Sequence, residues 1–337
     1  MMKRKRVHRP IDPNHLAEGI LKGDRSILAQ SITLVESNAE RHFEAAQSLL
    51  EKVLSKRTGS IRIGITGVPG AGKSTFIDTF GTYLCKKGHK VAVLAVDPTS
   101  HVSKGSILGD KTRMERLSIN PDAFIRPSPS SGTLGGVSRK TRETMLLCEA
   151  AGFDIILIET MGVGQGEYLV RGMVDFFLLL VLTGAGDELQ TMKKGIMELP
   201  DLVVVNKADG GNLQLAKKAV QEYSTMLHFL KPYTEGWTTD ALPASALKET
   251  GIREIWEKIE AFQKATKESG LFANRRRGQQ KDWLHESIKD ELLHAFYKNP
   301  SVMERLSAAE QNIAEEKAAV SSLVKELVDD FLKSRLF

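Results

Sequence analysis

The sequence predicts an α/β fold with a mostly parallel central sheet, flanked by helical segments at its amino and carboxyl ends. Two observations lead to this prediction. Short β-rich runs alternate with longer helical stretches between residues 61 and 262, and the residues on either side place their apolar side chains at helical spacing. Such alternation is typical of a parallel sheet that is covered by helices.

The individual elements follow from the apolar pattern. Residues 13–57 carry apolar side chains mostly three and four positions apart and predict two or three helices. Beyond residue 264, one helical stripe around Leu292 and another around Leu327 predict two or more amphipathic helices. The predicted strands are residues 61–66, 91–96, 155–158, 176–182 and 202–205.

Composition narrows the class of protein. The chain has 337 residues and a net charge of +5, which suits one large α/β domain with additional segments. Aromatic residues make up only 6% and charges of both signs are mixed, which argues against a nucleic-acid-binding protein. No apolar run is long enough to cross a membrane. The two cysteines, Cys85 and Cys148, are typical of a reduced, cytoplasmic protein.

The strongest motif is a phosphate-binding loop. In GVPGAGKST, the template G-x-x-x-x-G-K-[ST] is filled directly after a predicted strand and before a predicted helix. Backbone N–H groups of such a loop converge on phosphates, the lysine reaches the terminal phosphates, and the serine hydroxyl can coordinate Mg²⁺. The predicted contacts in this loop are Gly67, Pro69, Gly70, Ala71, Gly72, Lys73, Ser74 and Thr75.

A second motif, NKAD at residues 206–209, predicts the base. It follows a predicted strand, and ligands of such sheets bind at the carboxyl ends of strands. A carboxylate at Asp209 can accept two N–H groups from guanine, whereas adenine presents an acceptor there. Lys207 would lie along the ring, and Ser245-Ala246 would offer a backbone N–H to the guanine oxygen. The predicted base contacts are Asn206, Lys207, Asp209, Ser245 and Ala246, and the predicted ligand is GTP or GDP.

Acidic residues between the two motifs are candidates for a metal site. Asp97 and Glu159 each follow a predicted strand, and Asp110 lies in a loop segment. Mg²⁺ prefers oxygen ligands, so these three carboxylates and the Ser74 hydroxyl are the predicted metal ligands. A helix cap or a surface ion pair stays open as the alternative for any single carboxylate, most of all for Asp110.

Three residues are predicted to act in hydrolysis: Lys73, Glu159 and Gln165. Val163 follows Gly162, at the position where many signalling GTPases have a glutamine that orients water. We therefore expect slow intrinsic hydrolysis, with Gln165 as the substitute for that glutamine.

Longer segments go beyond a generic nucleotide site. Residues 96–100 (VDPTS), 105–117 (GSILGDKTRMERL), 124–154, 159–167 (ETMGVGQGE) and 184–199 (GAGDELQTMKKGIMEL) closely resemble the MeaB/ArgK-type GTPases. These proteins are chaperones of adenosylcobalamin-dependent methylmalonyl-CoA mutase, within the SIMIBI class of P-loop GTPases. The resemblance covers nearly the whole chain, including its helical ends.

The resemblance implies GTP-gated delivery and protection of the cobalamin of an acyl-CoA mutase, and a homodimer formed through the C-terminal helices. Asp97, Asp110 and Glu159 match the family's Mg²⁺ and switch positions. The mobile loop that couples nucleotide state to the mutase is matched by Asp187, Gln190 and Lys193.

The resemblance also predicts the domain organisation. We expect an N-terminal helical extension over residues 1–57, a P-loop GTPase domain over 58–265 and a C-terminal helical dimerisation arm over 266–337. Packing of the C-terminal helices back onto their own domain stays open as an alternative to dimerisation.

The chain departs from the family pattern at four positions. Lys104, Met161, Gly166 and Thr183 stand where glycine, valine, serine and proline are usual. None of them removes a phosphate or base contact. Lys104 and Gly166 lie in or beside predicted switch segments, so they bear on the hydrolysis rate and on the partner more than on the nucleotide.

Two other functions stay open. One is an ATP-dependent kinase or ATPase linked to transport of lysine, arginine or ornithine, a label that some relatives have carried. The other is a nucleotide-bound scaffold without significant turnover. The NKAD motif argues against the first, and a loss of turnover on removal of the Glu159 carboxylate would argue against the second.

Overall fold

The computed structural model describes residues 11–56, 59–96, 114–127, 134–160, 166–183 and 195–334. Its central sheet contains seven parallel strands in these residues, in the order β3-β2-β4-β1-β5-β6-β7. This arrangement confirms the predicted α/β fold. The strands are β1 (Ile61–Gly67), β2 (Val91–Val96), β3 (Ala123–Arg126), β4 (Ile155–Thr160), β5 (Phe176–Val181), β6 (Leu202–Val205) and β7 (Asp240–Pro243).

Helices cover both faces of the sheet and form both ends of the described part of the chain. They are α1 (Pro13–Leu21), α2 (Arg25–Glu36), α3 (Glu40–Leu54), α4 (Lys73–Lys86), α5 (Glu115–Ser118), α6 (Leu134–Ala150), α7 (Gly166–Arg171), α8 (Leu213–Phe229), α9 (Ile252–Glu268), α10 (Leu271–Tyr297), α11 (Pro300–Ala314) and α12 (Val320–Lys333). Short 3₁₀ turns cover Ile196–Glu198 and Gly210–Asn212. Within the described ranges, no helix is both long and apolar enough to cross a membrane.

The amino-terminal helices begin at side-chain caps. The Asp12 carboxylate accepts a hydrogen bond of 2.9 Å from the N–H of Asn14, with Pro13 in the first turn, where a missing N–H costs nothing. Asp24 caps α2 in the same way by accepting from Ser26 and Ile27. Since Leu28 and Ile32 of α2 are fully buried, these helices belong to the core.

Successive side chains of each strand point to opposite faces of the sheet, so the buried core is divided between the two faces. On one face, β1 packs against α4 and α9, with Phe76, Phe80 and Phe262 fully buried. On the other face, α6 packs on the sheet and α1 to α3 pack on α6. Because strands such as β5 are buried along their whole length, they consist almost entirely of apolar residues.

Two strands were not predicted from the sequence, β3 and β7. Both are four residues long and both lie at the edges of the sheet. The predicted strand over 155–158 in fact extends to Thr160, and the run over 176–182 ends at Val181. Helix α6 begins at Leu134, inside the segment 127–136, whose Ser, Gly and Pro content predicts a loop.

The chain forms two compact units, Met1–Gln279 and Gln280–Phe337, and α10 crosses the boundary between them. In the first unit, the start of α10 contacts the amino edge of the sheet. Arg276 donates hydrogen bonds of 2.8 and 2.6 Å to the Asp175 carboxylate, and Gln279 donates one of 2.8 Å to the carbonyl of Val174. In the second unit, α12 packs on the end of α10, with the rings of Phe296 and Phe331 5.3 Å apart.

Candidate nucleotide site

The phosphate-binding loop joins β1 to α4 and is shaped by its glycines. A Cβ atom on Gly67 would lie 2.3 Å from the carbonyl oxygen of Leu180, so only glycine fits there. Gly70 and Gly72 have φ angles of +84°, which residues with a Cβ rarely adopt. Pro69 and Thr75 are exposed at the mouth of this loop, whereas Ala71 is fully buried.

Lys73 is the first residue of α4 and folds back over the loop. Its ammonium donates hydrogen bonds of 2.8 Å to the carbonyl of Gly67 and 3.2 Å to that of Val68. Burial lowers the pKa of Lys73, and the charges of Glu159 and Glu167 partly oppose that effect. Because Lys73 begins α4, its ammonium lies near the N-terminus of that helix, where anions bind to backbone N–H groups.

Ser74 and Glu159 come together beside the loop. The Ser74 hydroxyl donates a hydrogen bond of 3.1 Å to Oε1 of Glu159, which lies near the carboxyl end of β4. Next to it, the Thr160 hydroxyl donates to the Thr66 hydroxyl at 2.7 Å and so connects β4 to β1. A hydroxyl and a carboxylate are oxygen donors of the kind that Mg²⁺ prefers, so these two residues fit a magnesium site.

The remaining predicted metal, catalytic and coupling residues lie outside the described residues. They are Asp97, Asp110, Gln165, Asp187, Gln190 and Lys193. Across the part of the chain that the structure describes, no group of three or more His, Cys, Asp or Glu side chains is placed to hold a metal ion.

Asn206 connects the two sequence motifs. Its amide nitrogen donates a hydrogen bond of 2.8 Å to the carbonyl of Ala71 in the phosphate-binding loop. Its amide oxygen accepts a hydrogen bond of 3.3 Å from the N–H of Ala246. Because Asn206 is almost fully buried, these contacts fix the base motif relative to the loop.

A hydrogen bond between Asp209 and Ser245 connects the base motif to the segment that follows β7. The Ser245 hydroxyl donates a short hydrogen bond to the Asp209 carboxylate and accepts one of 3.1 Å from the N–H of Lys248. The N–H of Ser245 donates to the carbonyl of Thr250, so it is engaged within the chain. Of the predicted Ser245-Ala246 pair, the Ala246 N–H is therefore the candidate donor to a base, since its own hydrogen bond of 3.3 Å is long.

Lys207 has a left-handed backbone, with a φ angle of +59°. Its side chain extends over the phosphate-binding loop, since a Cβ atom on Gly72 would lie 3.9 Å from Cε of Lys207. The carbonyl of Lys207 accepts a hydrogen bond of 2.8 Å from the Asn212 amide, and that amide in turn accepts one of 2.9 Å from the Thr183 hydroxyl.

Three residues near the site were not predicted as site residues. Thr183 and Asn212 lie beside the base motif, and Glu167, in the first turn of α7, is almost fully buried with its charge acting on Lys73. Glu167 belongs to the ETMGVGQGE segment, and this segment is the sequence signal that could have identified it. Thr183 was noted only as a departure from the family pattern, and its contact with Asn212 joins residues 29 positions apart, which no local pattern specifies.

Comparisons with known proteins agree with this site. Residues 28–301 match the family described as methylmalonyl Co-A mutase-associated GTPase MeaB. A probable GTPase of Mycobacterium tuberculosis is 50% identical over 298 residues, which cover 88% of this chain and 89% of that protein. The mitochondrial "methylmalonic aciduria type A homolog" of Mus musculus is 46% identical over 310 residues, covering 89% of this chain and 75% of its own.

Among solved structures, the crystal structure of a protein named LAO/AO transport system kinase is 36% identical to this chain. It superposes with a TM-score of 0.74 and covers 95% of this chain and 97% of its own. The matched family, the named GTPases and the phosphate-binding loop before α4 agree with one another. The chain therefore belongs to the MeaB family of SIMIBI-class P-loop GTPases, and it is an enzyme that binds guanine nucleotide and hydrolyses GTP.

Proposed function

We propose that this GTPase gates the delivery of adenosylcobalamin to a cobalamin-dependent acyl-CoA mutase of the methylmalonyl-CoA mutase type, and protects that mutase. The observation that carries the proposal is the family match over residues 28–301, because the description of that family names association with methylmalonyl-CoA mutase. The name of the mouse relative, which refers to methylmalonic aciduria, supports the same partner.

For the base, we assign recognition to Asp209 with Lys207 and the N–H of Ala246. The Asp209 carboxylate accepts only hydrogen bonds, and it is oriented by the Ser245 hydroxyl. That polarity matches the two N–H groups of guanine and leaves adenine without a partner. The contact of Asn206 with Ala71 supports this assignment, since it fixes base recognition relative to phosphate recognition.

For hydrolysis, we assign Lys73 to the terminal phosphates and Ser74 and Glu159 to the Mg²⁺ site. Asp97 and Asp110 complete the proposed ligand set. When bound, Mg²⁺ would neutralise charge that develops on the phosphate oxygens. Lys73 would hold positive charge at the same phosphates, and its hydrogen bonds to the loop carbonyls support its orientation.

We further propose that intrinsic hydrolysis is slow. Val163 occupies the position at which many signalling GTPases place a water-orienting glutamine, so Gln165 is our candidate for that task. We assign Asp187, Gln190 and Lys193 to the loop through which the mutase senses the nucleotide. Single-turnover hydrolysis as fast as that of self-sufficient GTPases would contradict the assignment of a slow rate.

A homodimer formed through the C-terminal helices is also part of the proposal. In the second compact unit, Val320, Val324, Val328 and Leu332 of α12 are 57%, 54%, 41% and 56% exposed. A spacing of four residues places them along one face of the helix, and an apolar stripe of this length requires a covering surface. We expect a dimer by sedimentation at micromolar concentration, and a monomer would contradict this part.

The experiment that tests the function uses the full chain and its own cells. The tagged protein is purified, the proteins bound to it are identified, and loading of adenosylcobalamin onto the apo-mutase is followed by absorbance with GTP, GDP or a non-hydrolysable analogue. We expect an acyl-CoA mutase to copurify and its loading to depend on the nucleotide. Lys73→Ala is the matched control, since it removes the phosphate contact and should abolish that dependence.

A transport-linked kinase is the second candidate, and the name of the protein in the similar solved structure favours it. The two candidates differ in the base and in the product. Competition of ATP with GTP for the site, or transfer of phosphate to a protein, would support the kinase. Copurification of no mutase, together with loading that is the same in GTP and GDP, would contradict the proposed chaperone function.

A further inference from the structure

We propose that Thr183 is a positioning residue for base recognition. Its hydroxyl acts through the Asn212 amide to hold the backbone of Lys207 in the conformation that the base motif requires. This inference rests on the proposed assignment of the NKAD motif, residues 206–209, to the guanine base. It adds a group from the end of β5 that lies outside that motif.

Lys207 has an unfavourable backbone conformation, which a hydrogen bond from a neighbouring side chain can stabilise. A φ angle of +59° is disfavoured for any residue with a Cβ atom, and lysine lacks the short polar side chain that lets asparagine or aspartate adopt it. Neighbouring residues are held by the sheet: the N–H of Asn206 donates to the carbonyl of Val181 and that of Ala208 to the carbonyl of Ala244, both at 2.9 Å. The chain direction therefore changes at Lys207.

The direction of each hydrogen bond follows from the chemistry of the groups. The Lys207 carbonyl can only accept, so the amide nitrogen of Asn212 must face it, at 2.8 Å. The amide oxygen of Asn212 then faces Thr183, and the Thr183 hydroxyl must be the donor, at 2.9 Å. A hydrocarbon side chain at position 183 has no proton to supply.

Asn212 contacts two of the residues proposed to bind the base, Lys207 and Asp209. Its side chain contacts the carbonyl of Lys207, and its backbone N–H donates a hydrogen bond of 2.9 Å to the carbonyl of Asp209. A rotation of the Asn212 amide would therefore break the hydrogen bond that holds the left-handed backbone of Lys207. The Lys207 side chain, which lies over the phosphate-binding loop, would then shift. Since Thr183 and Asn212 are only partly buried, this support contributes to nucleotide affinity more than to the stability of the core.

The expected effect is on binding and not on the chemical step. Thr183→Val keeps the shape of the side chain and removes the donor, and loss of one neutral hydrogen bond corresponds to roughly 2- to 10-fold in affinity. We expect the Kd for GDP and the KM for GTP to rise by that factor. We expect kcat at saturating GTP to stay within about 2-fold, because Lys73, Ser74 and Glu159 are unchanged.

The experiment compares matched variants of the full chain. Thr183→Ser should retain the affinity of the original chain, because serine keeps the hydroxyl. Thr225→Val is the control, since the Thr225 hydroxyl donates at 2.9 Å to the carbonyl of Gln221 on the exposed face of α8. Asn212→Ala should weaken binding at least as much as Thr183→Val, because it also removes the hydrogen bond to the Lys207 carbonyl, and the double variant should be no weaker than Asn212→Ala alone, as expected for residues in one hydrogen-bonded chain.

The outcomes separate this inference from the assignment on which it rests. Asp209→Asn is measured in the same assay. Should it shift the base preference while Thr183→Val leaves GDP affinity unchanged, Thr183 does not position the motif and the inference is overturned. Should Asp209→Asn leave guanine preference intact, the base assignment is wrong and the inference falls with it. If Thr183→Val does not fold, Asn212→Ala tests the same chain of contacts.

Discussion

The Ser74 hydroxyl, at the first turn of α4, donates a hydrogen bond of 3.1 Å to the Glu159 carboxylate near the end of β4. This contact joins the phosphate-binding loop to β4, which ends in the first two residues of the ETMGVGQGE segment. Glu159 is also one of the charges that act on Lys73, so it interacts with two other residues proposed for phosphate and metal binding. A change at Glu159 should therefore affect both Ser74 and Lys73.

The first prediction concerns Glu159. Glu159→Gln removes the negative charge and keeps the shape, and we expect turnover at saturating GTP and Mg²⁺ to fall by about 100-fold. GTP affinity should change much less, because the loop and the base motif stay intact. Single-turnover kinetics measures the effect, with the exposed Glu254→Gln on α9 as the control. Unchanged turnover would favour a nucleotide-bound scaffold.

The second prediction concerns the base. Asp209→Asn replaces one of the two carboxylate oxygens with an NH2 donor, so guanine keeps one proposed hydrogen bond and loses the other, while the carbonyl of xanthine gains one. We expect GTP affinity to fall by at least about 100-fold and XTP to become the better ligand. Competition titration measures this preference. Asp122→Asn, at an exposed position, serves as the matched control, and an unaltered GTP affinity in Asp209→Asn would contradict the assignment.

A third prediction follows from Glu143, a buried carboxyl on α6. Burial raises its pKa from 4.5 to about 7, while Arg139 and Lys140 act in the opposite direction. The folded state therefore holds this proton more tightly than the unfolded state does. The stabilisation is complete below about pH 4.5 and is lost as the pH rises through about 7, a change of about 3 kcal/mol.

Denaturant titration from pH 5 to pH 8 tests this dependence. Glu143→Gln keeps the group neutral at every pH. The free energy of unfolding of the variant should therefore fall less between pH 5 and pH 8, and the variant should be more stable than the original chain at pH 8. Glu254→Gln, which is exposed, should follow the original chain throughout. Parallel pH profiles for all three proteins would show that Glu143 does not titrate as expected.

The fourth prediction uses two glycines at the start of the C-terminal region. Gly278 lies inside α10, and a Cβ atom there would meet nothing within 4 Å. Gly278→Ala should raise the free energy of unfolding by about 1 kcal/mol through better helix propensity. Gly270 has a φ angle of +76°, so Gly270→Ala should instead lower it by about 1 kcal/mol. Thermal unfolding measures both, and changes of the same sign would be contrary to this expectation.

Much of the fold was predictable because central strands carry long apolar runs. In β5, all six residues are buried, and the pattern was visible in the sequence. The strands β3 and β7 have only four residues each, and each lies at an edge of the sheet with one neighbouring strand in the described sheet. Their segments, AFIR and DALP, are too short for the spacing of apolar residues to distinguish a strand from a loop.

Part of the candidate site was predictable from the sequence and part was not. Its phosphate-binding loop and base motif were predictable because each is a local segment with a recognisable pattern. The contacts of Asn206 with Ala71 and of Thr183 with Asn212 join residues 135 and 29 positions apart, and no pattern in the sequence specifies them. Only the order of the strands, which brings β1, β5 and β6 side by side, creates these contacts.

The contacts of α10 with the amino edge of the sheet have a practical consequence for truncation. A chain that stops after residue 265 would lack Arg276 and Gln279. Of the hydrogen bonds described for the fully buried Asp175 carboxylate, it would lose those of its ion pair with Arg276 and keep the one from the N–H of Arg62. Loss of one partner of a buried pair costs about 3–5 kcal/mol. The shortest fragment expected to fold and to bind nucleotide therefore extends through Gln279, well into α10.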